Sequence, residues 1–547
     1  MLGKIYNLLS KQERRKCIWV ALSVLLRALL DFASLAALIP ILILVLGDNP
    51  NMGKALLMCS AVLVFIIIKY GISLILTRFQ SKFLLGLYKQ FSYRMFANYY
   101  RRGLLFLKSK SSVQLGHDVN FICYAFSLNI LYPIMTICGE AILLIMMVTA
   151  MIIWEPLAGI LLCAGFIPMI IFNVKVIKAK SKKYGKEELE ARRNQSRTVV
   201  ETFRGYAELE INNAFPAMET SFSGGLDLIN QCRFRMETIR IFPSLLSEAS
   251  IVIGLALLLC LSNGDTKILG GVFAVAAFRL IPAVRGIMSS WTTLQANSHC
   301  VDTVADGIAD ENMAEDCKEQ DAITFKDSIA ANNISFSFPD GIQVLKNVSC
   351  RINKGERIGL KGASGSGKST LFNALLGFYP LDEGFITIDG KKLNDSNIKS
   401  WHKLVGYVPQ EIFIAQGSLA QNIALGHSEI DRDRVISVLE QVQLGEWAKT
   451  LPDGIDTHLG EAGNRMSGGQ KQRIGIARAL YKQAEILFFD EATSALDNQT
   501  EREINNAIES LSNSHKDITI LIIAHRESSL AFCDRIIDLD EMITSKQ

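Results

Sequence analysis

The sequence predicts a six-span α-helical membrane domain with long cytoplasmic helical extensions, followed by an α/β domain. Three observations predict it. Of 547 residues 49% are hydrophobic and only 20% charged, against about 25% charged in ordinary soluble domains. Every apolar stretch of membrane-crossing length falls before about residue 310. Past about residue 328 the chain reads as strands and helices around one glycine-rich turn. Length alone, at about 100–200 residues per domain, allows about three domains.

A bilayer core takes about 20 apolar residues in a helix. Six stretches meet that need: 18–46, 55–77, 127–153, 156–174, 241–262 and 268–290. Six such lengths in one half argue against buried helices of a soluble protein. Arg14, Arg15 and Lys16 precede the first stretch, which is too long for a signal peptide and ends at Leu46-Gly47-Asp48, a poor cleavage site. It reads as a retained first span. Eight Lys/Arg and no Asp/Glu lie between Arg78 and His117, and Lys175, Lys178, Lys180, Lys182 and Lys183 follow the fourth stretch. Basic loops stay in the cytoplasm, so both termini and the C-terminal half are expected there, in a multi-pass protein of the cytoplasmic membrane. The two basic loops have few helix breakers. They are expected to prolong the membrane helices as stalks, with turns near Ser111–Asp118 and Gly205–Asn213. The predicted domains are a membrane domain over 1–310, an acidic linker over 311–327 and a soluble domain over 328–547. The net charge of +3 and the absence of a clustered basic excess exclude a general nucleic-acid binder. Eleven cysteines without a CxxC pair suggest reduced thiols rather than a disulfide or zinc framework.

Gly362-Ala-Ser364-Gly365-Ser-Gly367-Lys368-Ser369-Thr370 fits the P-loop pattern, between a strand at Arg357–Lys361 and a helix from Leu371. Glycines let backbone N–H groups face phosphate oxygens, and the helix N-terminus adds partial positive charge. Lys368 is placed for the β- and γ-phosphates and Ser369 for Mg²⁺. Further on, Ile486-Leu-Phe-Phe-Asp490-Glu491 reads as a buried strand delivering acids at its carboxyl end, where open α/β sheets bind ligands. Asp490 suits the Mg²⁺ shell, and Glu491 suits polarising a water as general base.

Met466-Ser467-Gly468-Gly469-Gln470, continued by Lys471 to Leu480, resembles the signature of ATP-binding-cassette proteins. Val408-Pro-Gln410 resembles the family's Q-loop, Ser494-Ala-Leu-Asp497 its D-loop, and Ile523-Ala-His525-Arg526 its switch histidine. The likeness spans essentially all of 328–547 and implies an ABC-type P-loop NTPase domain that binds ATP and Mg²⁺. It further implies that Ser467 and the N–H groups of Gly468, Gly469 and Gln470 meet the γ-phosphate held by another subunit. His525 would bind that phosphate, Asp497 would couple the two sites, and Gln410 would join Mg²⁺ or water to the membrane half. Met466 stands where the family has Leu, a nearly volume-conserving change. Phe338 stands where it has an adenine-stacking Tyr, with Phe336 the neighbouring alternative.

The layout resembles exporter half-transporters. That implies a dimer, with a second copy or a homologous half as partner, that opens outward when ATP closes the nucleotide domains. Charges within the spans are costly and mark function or mutual pairing. They are Arg27, Asp31, Lys69, Glu140, Glu248, Arg279 and Arg285. On one reading Arg27 and Asp31 neutralise each other and the glutamates pair with bases. On the other, Lys69, Arg279 and Arg285 line a cavity for an anionic head group. Lys69 and Arg279-Leu-Ile-Pro282 resemble flippases for lipid-linked oligosaccharides. Peptides, other lipids and drugs remain alternative cargoes, and an ATP-gated channel or sensor is the alternative function.

Overall fold

A computed structural model describes residues 1–41, 52–154, 156–261, 266–309, 322–460, 463, 466–491, 499, 502, 506, 509, 517–524, 526 and 530–544. Only the backbone is described at 52, 157–159, 161–176, 242–244, 246–247, 250–251, 254–255, 257–261, 266–277 and 542–544. The chain divides into Met1–Met313 and Ala314–Gln547.

Among the described residues the first unit is helical, without strands. After α1 (Leu2–Leu8) come α2 (Lys11–Ala36), α3 (Met52–Arg101), α4 (Tyr132–Trp154), α5 (Pro156–Arg204), α6 (Tyr206–Ile211), α7 (Phe215–Leu261), α8 (Thr266–Ala296) and α9 (His299–Ile308). Ser10 caps α2: its hydroxyl accepts from Glu13 N, and the Glu13 carboxylate accepts from Ser10 N. At 50, 49 and 47 residues, α3, α5 and α7 each run roughly 70–75 Å at 1.5 Å per residue, more than twice a hydrocarbon core. Each therefore extends well beyond any bilayer it crosses. Among the described residues three stretches are long and apolar enough to cross a membrane: Lys11–Ile41, Gly53–Arg101 and Ser112–Trp154. The stretches at 156–174, 241–262 and 268–290 lie on helices, but most of their side chains are outside the described residues. Pro282 sits inside α8, which is assigned as one continuous helix.

The stalk portions have their own core. Phe91, Met95, Ile122, Cys123, Phe126, Ile130, Cys300 and Val304 are fully buried together, with Phe91 edge-on to Phe126 at 5.2 Å. The chain winds as π-helix at Asp118–Ile122 and Phe126–Leu131. Asp118 is 4% exposed and is neutralised by Arg193 of α5 at 3.0 Å.

The second unit has two sheets. An antiparallel one orders its strands β2-β1-β4-β5, from β1 (Ser328–Ser337), β2 (Gln343–Asn353), β4 (Glu383–Ile388) and β5 (Lys391–Lys392). A parallel one orders them β6-β7-β8-β3-β9, from β3 (Arg357–Lys361), β6 (Val405–Val408), β7 (Ile486–Asp490), β8 (Thr519–Ile523) and β9 (Arg535–Asp538). Parallel strands are covered on both faces and so read as unbroken apolar runs; all five residues of β8, Thr-Ile-Leu-Ile-Ile, are buried. Helices α10 (Lys368–Leu375) and α11 (Gly468–Tyr481) pack on this sheet, and α12 (Leu539–Thr544) follows β9. Ile323 and Phe325, within the stretch expected to be linker, are core residues of this unit at 4% and 1% exposure. The acidic residues 310–321 lie outside the described residues.

Candidate nucleotide site and the charged network of the helical unit

The carboxyl ends of β3 and β7 bring the predicted residues together. The chain leaves β3, turns through the glycine-rich loop and enters α10 at Lys368. Gly365 and Gly367 adopt φ of +84° and +94°, which residues with a Cβ rarely adopt. A Cβ on Gly367 would also stand 2.9 Å from Val344. Lys368 is 5% exposed. Its ammonium donates to the carbonyl oxygens of Gly362 and Ala363, at 2.9 and 2.7 Å, so it is anchored over the loop it serves. Ser364 and Gly365 are exposed, Thr370 is buried, and Asn373 donates to Ser369 O at 2.7 Å one turn on. The loop is also held from behind, where Ala363 N donates to Asp540 Oδ2 of α12 at 2.7 Å.

Across from α10, β7 delivers the two acids. Ser369 Oγ donates to Asp490 Oδ1 at 3.1 Å. A hydroxyl and a carboxylate meeting this closely form a hard-oxygen pair of the kind Mg²⁺ selects. Glu491 takes φ of +51°, unusual for a residue with a Cβ, and its N–H donates to Ile523 O at 3.1 Å. This bend swings its carboxylate to Gln410, whose Nε2 donates to Glu491 Oε2 at 3.2 Å.

Ser467 sits at the N-cap of α11. Its Oγ accepts from Gln470 N at 3.2 Å, and Gln470 Oε1 accepts from Ser467 N at 2.9 Å. Gly468 is exposed and Gly469 buried. The signature turn is thus a capped helix start, bonded within itself and not to the P-loop among the described residues. Gln472 Nε2, one turn into α11, donates to Gln410 O at 2.8 Å, tying the helix to the Q-loop. Asp497 and His525 lie outside the described residues.

Phe338 is partly exposed, whereas Phe336 is 1% exposed in the core. Phe336 stacks on Tyr379 at 4.9 Å, and Phe338 meets both rings edge-on at 5.1 and 5.9 Å. The accessible face at this position therefore belongs to Phe338.

Contacts distant in sequence escaped the reading of motifs: Tyr379 behind Phe338, Gln472, Asp540 and Tyr407. Tyr407 of β6 lies beside Asp490; burial, then the adjacent Asp490 charge, push its phenol well above the usual tyrosine range. Only β-sheet register brings them together, with Tyr407 opposite Phe488.

In the helical unit three of the predicted intramembrane cations, Lys69, Arg279 and Arg285, are paired with carboxylates. Lys69 Nζ lies 2.7 Å from Asp31 Oδ1 and donates to Ser34 Oγ at 2.9 Å. Arg279 lies 3.3 Å from both Asp31 and Glu140, and Arg285 lies 2.8 Å from Glu248. Lys69 and Arg279 thus belong to a network joining α2, α3, α4 and α8, rather than to an uncompensated basic lining. Asp31 pairs with those two rather than with Arg27, whose guanidinium reaches Thr77 Oγ1 at 3.5 Å. A cavity of about 180 Å³ beside the network is lined by Arg27, Asp31, Gln80, Tyr132, Thr136 and Glu140, among others.

Residues 345–494 match the family model described as ABC transporter. An ATP-dependent lipid A-core flippase of Burkholderia pseudomallei (strain 1710b) is 32% identical over 389 residues, which cover 70% of this chain and 64% of that protein. The chain thus spans less than two thirds of that relative's length. A flippase of the same name from Francisella tularensis subsp. holarctica (strain OSU18) is 29% identical over 421 residues, 74% of this chain and 68% of its own. The solved structure of a bacterial Atm1-family ABC exporter with ATP bound superimposes with a TM-score of 0.80 at 20% identity, covering 97% of this chain and 94% of that one. That likeness concerns the fold: an N-terminal helical membrane domain and a C-terminal nucleotide-binding domain.

Proposed function

We propose that this chain is a member of the ABC transporter family that hydrolyses ATP and spends that energy on moving an amphipathic substrate across the cytoplasmic membrane. The convergence of Lys368, Ser369, Asp490, Glu491 and Gln410 at the ends of β3 and β7 carries the reading. The N–H groups of Gly365, Gly367, Lys368, Ser369 and Thr370 cradle the phosphates, Lys368 compensates the β- and γ-phosphate charge, and Phe338 stacks on the base. Ser369, Asp490 and Gln410 would hold Mg²⁺, which when bound neutralises phosphate charge in transfer. Glu491, oriented by Gln410, accepts a proton from the water that attacks the γ-phosphorus; the bond from that phosphorus to the bridging oxygen breaks, and the oxygen leaves with ADP, keeping the bonding electrons. His525 contacts the γ-phosphate.

The second half of each site comes from a partner, a second copy or a homologous half: Ser467, Gly468, Gly469 and Gln470 close over the nucleotide, and Asp497 couples the two sites. Six spans, with both termini and the nucleotide domain in the cytoplasm, complete the arrangement. The relatives' named cargo, lipid A-core, supports a lipid for this chain too, of the lipid-linked saccharide or another amphipathic anionic class. Arg285 and the Lys69–Arg279 network line its path. Reconstituted protein should turn over ATP, and Glu491→Gln should reduce turnover by about 10²-fold or more. Vesicles carrying lipid-linked sugars should show ATP-dependent flipping that Arg279→Ala weakens. A wild type without turnover in any lipid overturns the pump.

A further inference from the structure

Tyr407 is the one polar side chain of β6, and the reaction above leaves it unused. β6 and β7 run parallel with Tyr407 opposite Phe488, and alternate residues of a strand share a face. Tyr407, Phe488 and Asp490 therefore face the same side, the side on which Phe372 of α10 meets Phe488 edge-on at 5.3 Å. The Tyr407 hydroxyl sits in the field of the Asp490 carboxylate, while Ser369 Oγ donates to Asp490 Oδ1 at 3.1 Å. The carboxylate is thus held by a hydroxyl from α10 and faced by another from β6. It has about four acceptor positions, so both hydroxyls can serve it and leave room for a cation. Phe378 packs edge-on against the Tyr407 ring at 6.4 Å, and Val405 and Val408 on either side along the strand are buried. The hydroxyl therefore sits on a ring with little freedom to turn away.

We infer that Tyr407 is a positioning residue for the metal-binding carboxylate, its hydroxyl presetting Asp490 for the cation that accompanies the nucleotide. The inference rests on the reading of Asp490 as a Mg²⁺ ligand. Partners of this kind orient ligands already in place, and their loss typically lowers metal affinity about 10–100-fold. The substitution Tyr407→Phe deletes the hydroxyl and keeps the ring.

The test titrates Mg²⁺ against binding of a fluorescent ATP analogue to the purified full-length chain, with a parallel measurement in EDTA and a thermal melt. Tyr407→Phe should raise the Mg²⁺ concentration for half-maximal effect about tenfold. Binding in EDTA and the melting midpoint should stay at wild-type values, which a purely structural role would not allow. In an Asp490→Asn background the same change should add nothing, since the partner it orients is gone. A wild type whose binding ignores Mg²⁺ overturns the metal reading and this inference with it. A Mg²⁺-dependent wild type with a Tyr407→Phe midpoint within about twofold, or an equal loss in EDTA, overturns the role of Tyr407 alone.

Discussion

Glu491 concentrates the conflict between folding and chemistry in one residue. Its left-handed backbone, φ +51°, costs about 1 kcal/mol or more for a residue with a Cβ, yet that bend points its carboxylate at Gln410. Glu491→Gly relieves the strain at some cost in unfolded-chain entropy. Thermal melts should show it no less stable than wild type, and at most about 1 kcal/mol more stable, while ATP turnover is lost. His402 makes a pH prediction. Burial, foremost, and the Lys482 charge hold its pKa below the ordinary value, against the opposing bond to Leu376 O. The folded state thus keeps His402 neutral where the unfolded chain would protonate it. The resulting stability is complete above about pH 6.5 and declines as pH falls through that value toward the lowered one. A melting midpoint of the wild type that is flat above pH 7 and falls below pH 6.5, with a shallower fall in His402→Gln, is the expected result. Much of the site was legible at this scale because its residues come in contiguous motifs: Lys368, Ser369, Asp490 and Glu491 stand where strand-end chemistry demands. Of Phe338 and its alternative Phe336, Phe338 is the more exposed ring. Tyr407, Gln472 and Asp540 were not legible, since their partners lie 62 to 177 positions away or are set by sheet register.

Helix lengths were legible in kind: charged loops with few helix breakers foretold stalks, and α3, α5 and α7 are each at least 47 residues long. The π-helical turns at Asp118–Ile122 and Phe126–Leu131 were not, because periodicity does not register one extra residue per turn. Nor could spacing choose among partners for the intramembrane charges, since Asp31 and Arg279 are 248 positions apart. The outcome gives a stability prediction. Asp31 serves two cations at once, and removing one member of a buried pair strands the other. Asp31→Asn takes the carboxylate from Lys69 and leaves it beside the Ser34 hydroxyl and the Tyr70 ring. It should lower stability by about 1–3 kcal/mol, below the fully buried figure because these side chains keep some access to solvent. Lys69→Met in the Asp31→Asn background should restore part of that loss, read from the midpoint in detergent; an unchanged Asp31→Asn melt would show that the network contributes nothing.

For the whole molecule, the division into a helical and an α/β unit follows the change in composition that the sequence displays near residue 310. A composite nucleotide site predicts proximity between copies. With Ser364→Cys and Ser467→Cys in one chain depleted of its native cysteines, a short bifunctional crosslinker should give covalent dimers on denaturing gels. Mg²⁺-ATP should increase their yield in a Glu491→Gln background, where closure persists because hydrolysis is blocked; monomer alone under those conditions would overturn the trans arrangement. The grip of Asp540 on Ala363 N bears on how such proteins are handled. Any pull on α12, such as that of a purification tag joined directly after it, would reach the phosphate loop. Affinity handles belong away from α12, and a preparation tagged beside it that binds nucleotide poorly should be re-assayed after the tag is cleaved.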